Sequence, residues 1–361
     1  MNIAFYIDEM NLRGVANSNF QYAFYNEKIL KNKSIIFYNN TNKFNQKKVI
    51  NKFKSKFKTI GIRKFLKIDD YKNKYNLKYI YVQKGGEKDN WNSLKIKTLV
   101  HAAYPQSIGQ IHGHKYAYVS EWLSRKFSGN KIPFVPYIVE VNKSKIDLKK
   151  NFKIKSKQLV FGCHGGETSF DLKFTHDALI EIVNKRDDVI FLFLNISKFC
   201  DHPRIIFLKG TNDEIYKKKF INTCDAMIYG RSLGESFGLA CGEFAIQGKK
   251  LITYKFNRHR NHIFSLDLNN RLEYASKKEL FDILYNFNKS KKKYLKNNKY
   301  LNCTADKVMK KFNNVFLKKG YKIEITLLDY CINYFEFLYM AYKYSRHKLY
   351  NHYYNFFKSK N

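Results

Sequence analysis

The segment GESFGLACGEF, residues 234–244, places two carboxylates, Glu235 and Glu243, in a chain that is rich in lysine. An apolar run typical of a buried strand precedes the segment, and helix-compatible residues follow its second glycine. Free N–H groups at a helix start attract anions, and glycines allow a phosphate to approach the backbone. Carboxylates accept hydrogen bonds from hydroxyl groups. The segment therefore predicts a phosphate site between two hydroxyl-binding carboxylates, which is the chemistry that holds a nucleotide sugar.

These residues resemble the E-x7-E element of retaining glycosyltransferases with the GT-B fold, often written E-x-F-G-x-x-x-x-E. The run GKKLIT after the predicted helix is also similar to the strand that follows the element in that family, with Lys250 in place of a proline. The matching positions, without a gap, are Glu235, Ser236, Phe237, Gly238, Leu239 and Glu243.

The resemblance implies a role for each part of this element. Glu243 is expected to bind the ribose hydroxyls of the donor, and Glu235 is expected to face the donor sugar. The resemblance further implies retention of anomeric configuration, no metal ion, and no cofactor beyond the nucleotide sugar as co-substrate. The residues expected to hold the sugar and diphosphate through this loop are Gly234, Ser236, Phe237, Gly238 and Leu239.

One basic residue of the family is missing from this chain. The family's arginine after the first strand of the second domain falls at Cys163, while Lys173 is the candidate for the accompanying lysine. Because cysteine supplies no positive charge, diphosphate binding is expected to depend on Lys173, Arg231 or His164. The same departure leaves open a catalytically impaired GT-B protein that serves as a partner subunit.

The N-terminal half contains further candidates. Gly14 in NLRGVAN resembles the glycine of a loop that closes over the donor phosphates, and Arg13 beside it could supply charge. His101, in the strand-like run TLVHAAY, resembles the family's histidine near the reacting sugar, although a lone histidine also has a purely structural interpretation. His112 and His114 have no cysteine or carboxylate set nearby, so no metal site is predicted.

The strands and helices that position these residues are predicted from the alternation of apolar and helix-compatible stretches. Strand-like runs alternate with helix-compatible stretches on both sides of a segment stiffened by Pro133 and Pro136, which places a linker around residues 133–155. We therefore expect an α/β protein of the GT-B class, with two Rossmann-like doubly wound domains facing a cleft. The predicted limits are 1–140 for the N-terminal (acceptor) domain, 155–315 for the nucleotide-sugar donor domain and 316–361 for a helical aromatic and basic tail.

The amino-acid composition bears on the net charge of the protein and on its cellular compartment. Sixty-seven Lys and Arg against thirty Asp and Glu give a formal charge of +37, but Asn, Ile, Tyr and Phe are over-used too, so most of the charge reads as compositional bias. A nucleic-acid-binding protein is the remaining alternative, although no RNP, zinc-finger or basic-zipper signature is present. The six cysteines form no CxxC pair, and no signal peptide or apolar span is apparent, which predicts a cytoplasmic protein.

The expected partners follow from these interpretations. They are a nucleotide-sugar donor and a saccharide or lipid-linked acceptor, with no specific nucleic acid. The Tyr/Phe-rich tail allows two interpretations: a helix packed on the protein, or an interfacial surface that places the protein at an anionic membrane.

Overall fold

The computed structural model describes residues 1–140, 145–289, 296–318 and 323–358, with side chains described up to residue 346. The chain divides into two compact units. The first contains Met1–Ile138 and Asn302–Phe337, and the second contains Val139–Leu301 and the chain from Leu338 onward. The predicted limits of 1–140, 155–315 and 316–361 stay a prediction. They differ from the observed units in placing residues 302–315 with the second domain, and part of the predicted linker, 141–144, lies outside the described residues.

The first unit is built on a six-stranded parallel sheet with the order β3-β2-β1-β4-β5-β6. Every residue of β1 after Asn2 is buried, as expected for a strand covered by helices on both faces. The strands are β1 (Asn2–Ile7), β2 (Lys33–Asn39), β3 (Lys58–Ile62), β4 (Leu77–Lys84), β5 (Lys97–Ala102) and β6 (Lys115–Tyr118), and the helices are α1 (Gly14–Lys28), α2 (Lys47–Lys54) and α3 (Glu121–Ser128).

The second unit repeats this design, with the strand order β14-β12-β10-β7-β8-β9 and an added two-stranded parallel pair, β11 and β13. The strands are β7 (Leu159–His164), β8 (Val189–Leu194), β9 (Ile205–Leu208), β10 (Ala226–Tyr229), β11 (Gly234–Glu235), β12 (Lys250–Tyr254), β13 (His259–Arg260) and β14 (Arg271–Tyr274). The helices are α4 (Lys173–Lys185), α5 (Glu214–Thr223), α6 (Leu239–Ala245), α7 (Asn261–Phe264) and α8 (Lys277–Tyr285).

After the second sheet the chain returns to the first unit. Helix α9 (Ala305–Phe312) continues into a π-helical turn, Asn313–Leu317, and the rings of Phe312 and Phe316 pack against Tyr81 of β4. The last helix is α10 (Leu327–Lys358). Two parallel sheets of six strands, each with helices around it, confirm the predicted α/β architecture of two Rossmann-like domains.

Candidate functional site

In the second sheet the strand order reverses between β7 and β10. These two strands are neighbours in the sheet, although two helices and two strands (α4, β8, β9 and α5) separate them along the chain. Ligands of open parallel sheets bind outside the carboxyl ends of the strands at such a reversal. His164 ends β7, and the loop from Gly230 to Gly238 follows β10. The GESFGLACGEF segment therefore begins at the reversal of the second sheet.

The turn between β10 and α6 requires glycine at two positions. Gly234 and Gly238 have φ angles of 69° and 83°, in the left-handed region that glycine adopts without strain. A Cβ atom at Gly234 would lie 2.0 Å from the carbonyl oxygen of His259, because β11 pairs closely with β13 here. Both glycines of this turn are therefore explained by backbone geometry.

Phe237 anchors the residues that lead into α6. Its side chain is buried, and its carbonyl oxygen accepts hydrogen bonds from Tyr300 Oη at 2.7 Å and Asn261 Nδ2 at 2.6 Å. Ser236 and Gly238 flank Phe237, and α6 begins at Leu239. The first N–H groups of a helix lack intrahelical acceptors. The backbone of this predicted donor-binding stretch is thus held in place by side chains of its own unit.

Glu235 lies in β11 with its side chain about one fifth exposed. Its Oε1 atom accepts hydrogen bonds from Tyr229 Oη at 2.5 Å and from Arg231 Nη1 at 3.0 Å. Burial, reinforced by the negative charge of Glu235, raises the pKa of Tyr229 well above its ordinary value, so the phenol remains a donor. The structure brings the two predicted site residues Glu235 and Arg231 into one ion pair at the surface.

Glu243 has very different surroundings. Its Oε1 lies 2.8 Å from Lys217 Nζ, and its Oε2 lies 2.9 Å from His164 Nε2. Lys217 also contacts Glu214 Oε2 at 2.8 Å. The side chains of Glu243 and His164 are both 11% exposed. Glu243, Lys217 and His164 therefore form a largely buried network of charged and ionisable groups, with the more exposed Glu214 at its edge; these four residues are called the Glu243 network below.

Electrostatics within the Glu243 network favour the ionised forms of Glu243 and Lys217. Burial opposes ionisation of Glu243, but Lys217 and the contact with His164 outweigh burial and lower the pKa of the carboxyl to about 2. Burial also opposes the charge of Lys217, yet the carboxylates of Glu243 and Glu214 raise the pKa of Lys217 above its ordinary value. Glu243 is thus an anion at neutral pH, which suits a hydrogen-bond acceptor for hydroxyls.

Cys163 and the three basic residues that could supply the charge missing at this position have different surroundings. Cys163 is buried in β7, and burial followed by the charge of Glu235 raises the pKa of its thiol, so it stays neutral. Lys173 is the first residue of α4 and is exposed. Arg231 contacts Glu235, and His164 belongs to the Glu243 network. Of the basic candidates, Arg231 and His164 therefore contact the acidic pair directly.

The first unit places Arg13 and Gly14 at the beginning of α1, in the connection after β1. Strand β1 lies between β2 and β4, so this connection leaves the first sheet where its strand order reverses. A Cβ atom at Gly14 would meet nothing within 4 Å. Arg13 is largely exposed, and its Nη1 lies 3.8 Å from Glu9 Oε2. Protein packing alone therefore does not require glycine at position 14.

His101 lies in the interior of the first unit and is fully buried in β5. Its Nε2 donates to the Val135 carbonyl at 2.8 Å, and its Nδ1 accepts from Tyr81 Oη at 2.6 Å. Burial lowers the pKa of His101 to about 4. With both ring nitrogens bonded inside the unit, these contacts favour the structural interpretation of His101, and its role near the reacting sugar stays a prediction.

Lys217 is the residue of the network that the sequence interpretation misses. It is the first of three consecutive lysines, so composition does not distinguish it from Lys218 and Lys219. The available signal is Glu214, three residues earlier, because residues at this spacing meet on one side of a helix. Contact with Glu243, 26 residues later, depends on the tertiary fold.

Within residues 1–140, 145–289, 296–318 and 323–358, no group of three or more His, Cys, Asp or Glu side chains could hold a metal ion. Over the same part of the chain, none of the helices combines the length and apolar character needed to cross a bilayer.

Comparisons with solved structures support the same architecture. A glycosyltransferase from Rickettsia africae ESF-5 matches with a TM-score of 0.64 and 16% identity, covering 88% of this chain and 99% of that one. HepE from Anabaena, in complex with UDP-glucose, matches at 0.59 and 11%, covering 94% and 99%. A putative UDP-N-acetylglucosamine 2-epimerase from Listeria monocytogenes matches at 0.56 and 12%, covering 90% and 99%.

At these identities the matches show the fold alone. Together with the two six-stranded parallel sheets, they establish that this chain has the GT-B fold. No protein-family model matches the sequence, and no curated protein matches it.

Proposed function

We propose that this protein is a glycosyltransferase that moves a sugar from a nucleotide-sugar donor to a hydroxyl group of a saccharide or lipid-linked acceptor. The observation that carries the proposal is the placement of Glu235 and Glu243 around one glycine turn at the reversal of the second sheet. The E-x-F-G spacing of that turn is the element that the sequence shares with retaining GT-B enzymes.

In this proposal, Glu243 accepts hydrogen bonds from the ribose hydroxyls. Lys217 and His164 support that role because they keep the carboxylate ionised and fix its orientation. Lys217 Nζ donates to Oε1, and His164 Nε2 lies 2.9 Å from Oε2, whereas a carboxylate offers about four lone-pair positions. The network therefore positions Glu243 while leaving acceptor capacity for a ligand.

Arg231 and Glu235 act at the other end of the donor. The Arg231 guanidinium and the N–H groups at the start of α6 stabilise the negative charge that grows on the leaving diphosphate. Glu235 orients the sugar and stabilises positive charge on its ring, using Oε2, since both described bonds from Tyr229 and Arg231 reach Oε1. Lys173 is a further candidate for the diphosphate, while Arg13 and Gly14 are candidates for closing over the donor phosphates.

The finer mechanism is also proposed. Retention follows from displacement on the face from which the diphosphate leaves, with the leaving phosphate taking the acceptor proton. No metal ion takes part, because basic side chains neutralise the diphosphate. NMR of the product's anomeric proton, with the reaction run in the presence and absence of a chelator, tests both statements. An inverted product or complete loss of turnover with the chelator would contradict them.

The fold alone does not distinguish glycosyl transfer from epimerisation, because a protein described as a putative epimerase has the same fold. Neighbours crystallised with UDP-glucose or UDP support a nucleotide-sugar ligand in this fold. The E-x-F-G spacing is the observation that favours transfer over epimerisation. NMR of the incubated donor separates the two: transfer releases a nucleoside diphosphate, and epimerisation leaves the donor intact with a changed sugar.

Ligand-induced thermal stabilisation tests the donor site. UDP, GDP, ADP and their sugars are screened against the wild type, Glu243→Ala and a matched control, Glu181→Ala, which removes a half-buried glutamate of α4 that contacts Lys277. We expect one nucleotide class to stabilise the wild type and the control, and Glu243→Ala to lose that response. Stabilisation by none of the ligands contradicts the donor site, and equal stabilisation of all three proteins contradicts the ribose role of Glu243.

A further inference from the structure

Helix α10 turns polar side chains toward the protein at its N-terminal end. Asp329 and Asn333 are only 3% and 4% exposed. Asn333 Nδ2 donates to the backbone carbonyls of Gln106 and Phe127, at 3.1 and 2.8 Å, and Asp329 Oδ2 accepts from Thr326. These contacts lie within the first unit. The polar residues of this helix thus serve as its attachment to the protein.

The outward face of α10 consists of large apolar and aromatic side chains. Leu327, Leu328 and Phe335 are 81%, 67% and 66% exposed. Single exposed apolar residues are common, but a contiguous set at helical spacing marks an interaction surface. The other large hydrophobic residues of this exposed face are Tyr330, Tyr334, Leu338, Tyr339 and Tyr342. This set of eight residues is called the α10 face below.

Basic residues are confined to the C-terminal part of the same helix and the residues that follow it. Residues 327–342 contain no Lys or Arg, and their two acids do not join the exposed set: Asp329 is buried, and Glu336 Oε1 contacts Lys126 Nζ at 3.0 Å. From residue 343 to the end, the sequence has five Lys or Arg residues and no Asp or Glu, beginning with Lys343. An apolar surface is therefore followed directly by a basic segment.

We propose that the α10 face binds an anionic lipid surface. A helix with an apolar face lies in the plane of a bilayer interface, with Tyr and Phe rings at the level of the head groups. Basic residues that follow the face in the sequence gain attraction to lipid phosphates. The formal charge of +37 strengthens the approach of the whole chain to such a surface.

Two other occupants fit the α10 face less well. A second copy of this chain carries the same formal charge of +37, so two copies repel each other. A nucleic acid binds through contacts between cations and phosphates, but residues 327–342 offer no basic side chain. Leucine side chains such as Leu327 and Leu328 gain most from a hydrocarbon environment, which the lipid interface provides.

Flotation of the full chain with vesicles tests this proposal. Vesicles of phosphatidylcholine alone and of phosphatidylcholine with phosphatidylglycerol are compared at low and high salt. The test variant is Leu328→Ser with Phe335→Ser, and the matched control is Leu94→Ser with Leu268→Ser, whose leucines are 87% and 73% exposed elsewhere. Because all four side chains are exposed, the substitutions leave the folded core intact.

We expect the wild type and the control to bind the anionic vesicles and to dissociate as salt increases. The α10 variant is expected to bind them about tenfold more weakly, since two side chains no longer enter the interface. Absence of wild-type binding at low salt, equal binding by the α10 variant, or an equal loss in the control overturns the proposal. A wild-type dimer that the α10 variant converts to a monomer, or loss of oligonucleotide affinity in that variant with vesicle binding unchanged, also overturns it.

Discussion

The surroundings of Glu235 and Glu243 differ although the two residues belong to one motif. Glu243 lies in a buried network in which Lys217 and His164 contact its two oxygens. Glu235 is more exposed, and Arg231 and Tyr229 bond to the same oxygen atom. The spacing of the motif therefore fixes the positions of the two carboxylates, while residues outside the motif determine the contacts of each one. One is fixed by the protein interior, and the other faces a ligand more openly.

His101 is held by contacts in the protein interior, as Glu243 is. Its two ring nitrogens are bonded inside the first unit, as the Glu243 oxygens are contacted inside the second. We therefore expect substitutions in these buried groups to change stability first, and substitutions around Glu235 to change ligand binding or turnover first.

The largest expected effect is that of Lys217→Met. This change leaves the buried carboxylate of Glu243 without its cation and the more exposed Glu214 without its partner, and breaking a buried ion pair typically costs about 3–5 kcal/mol. The free energy of unfolding is measured in urea. Lys218→Met, which removes a more exposed lysine 3.7 Å from Glu140, is the control and is expected to cost less than about 1 kcal/mol. Equal losses for the two variants would show that the Glu243 network is not a buried ion cluster.

The second-largest expected effect is the pH dependence of the stability that Glu243 contributes. The folded-state pKa of Glu243 is about 2, below its ordinary value of 4.5, so the unfolded chain binds the proton more readily. The stabilisation is fully present above about pH 4.5 and is lost as the pH falls toward 2. The stability gap between the wild type and Glu243→Gln should therefore shrink by about 3 kcal/mol between neutral and strongly acidic pH. A gap independent of pH in urea titrations would be inconsistent with an ionised Glu243.

His101→Phe is expected to lower the free energy of unfolding by about 2 kcal/mol, because Tyr81 Oη and the Val135 carbonyl lose a buried partner. Turnover per folded molecule should stay within about threefold of the wild type. Tyr81→Phe, which removes one of the two bonds, should cost less. A hundredfold loss of turnover at unchanged stability would instead support the predicted catalytic role.

The smallest expected effect is at Arg231. Arg231→Gln should weaken nucleoside diphosphate binding about tenfold, as expected for a lost charge-assisted hydrogen bond, and change stability by less than about 1 kcal/mol. Lys173→Gln is the comparison, because Lys173 is the other basic candidate for the diphosphate. Calorimetric titration measures both affinities. If only Lys173→Gln weakens binding, the charge missing at Cys163 is supplied from α4 and not from the Glu235 loop.

Much of the fold was accessible from the sequence. Alternation of apolar runs predicted two parallel-sheet domains because buried parallel strands read as continuous apolar stretches, as β8 does. The short pair β11 and β13 was not predicted, since two-residue strands leave no periodic signal. The return of α9 to the first unit was also missed, because its contacts join residues more than two hundred positions apart.

For the candidate site, the sequence indicated Glu235 and Glu243 and named Arg231 and His164 as basic candidates, but it did not indicate Lys217 or which residue contacts which carboxylate. Glycine and glutamate spacing is local, so Glu235, Glu243 and the turn between them could be identified. Lys217 and the pairing of His164 with Glu243 depend on how α5 and β7 approach α6, which no local pattern encodes.

The most direct test of the account is the release of nucleoside diphosphate from nucleotide sugars by the wild type and by Glu235→Gln. The account predicts steady release by the wild type with one donor class, and a loss of at least about a hundredfold in Glu235→Gln, because the carboxylate acts on charge that develops in the transition state. Donor affinity should change little. Release at the same rate by both proteins, or no release by the wild type with any donor and acceptor mixture, would contradict the claim that the Glu235 loop carries out glycosyl transfer.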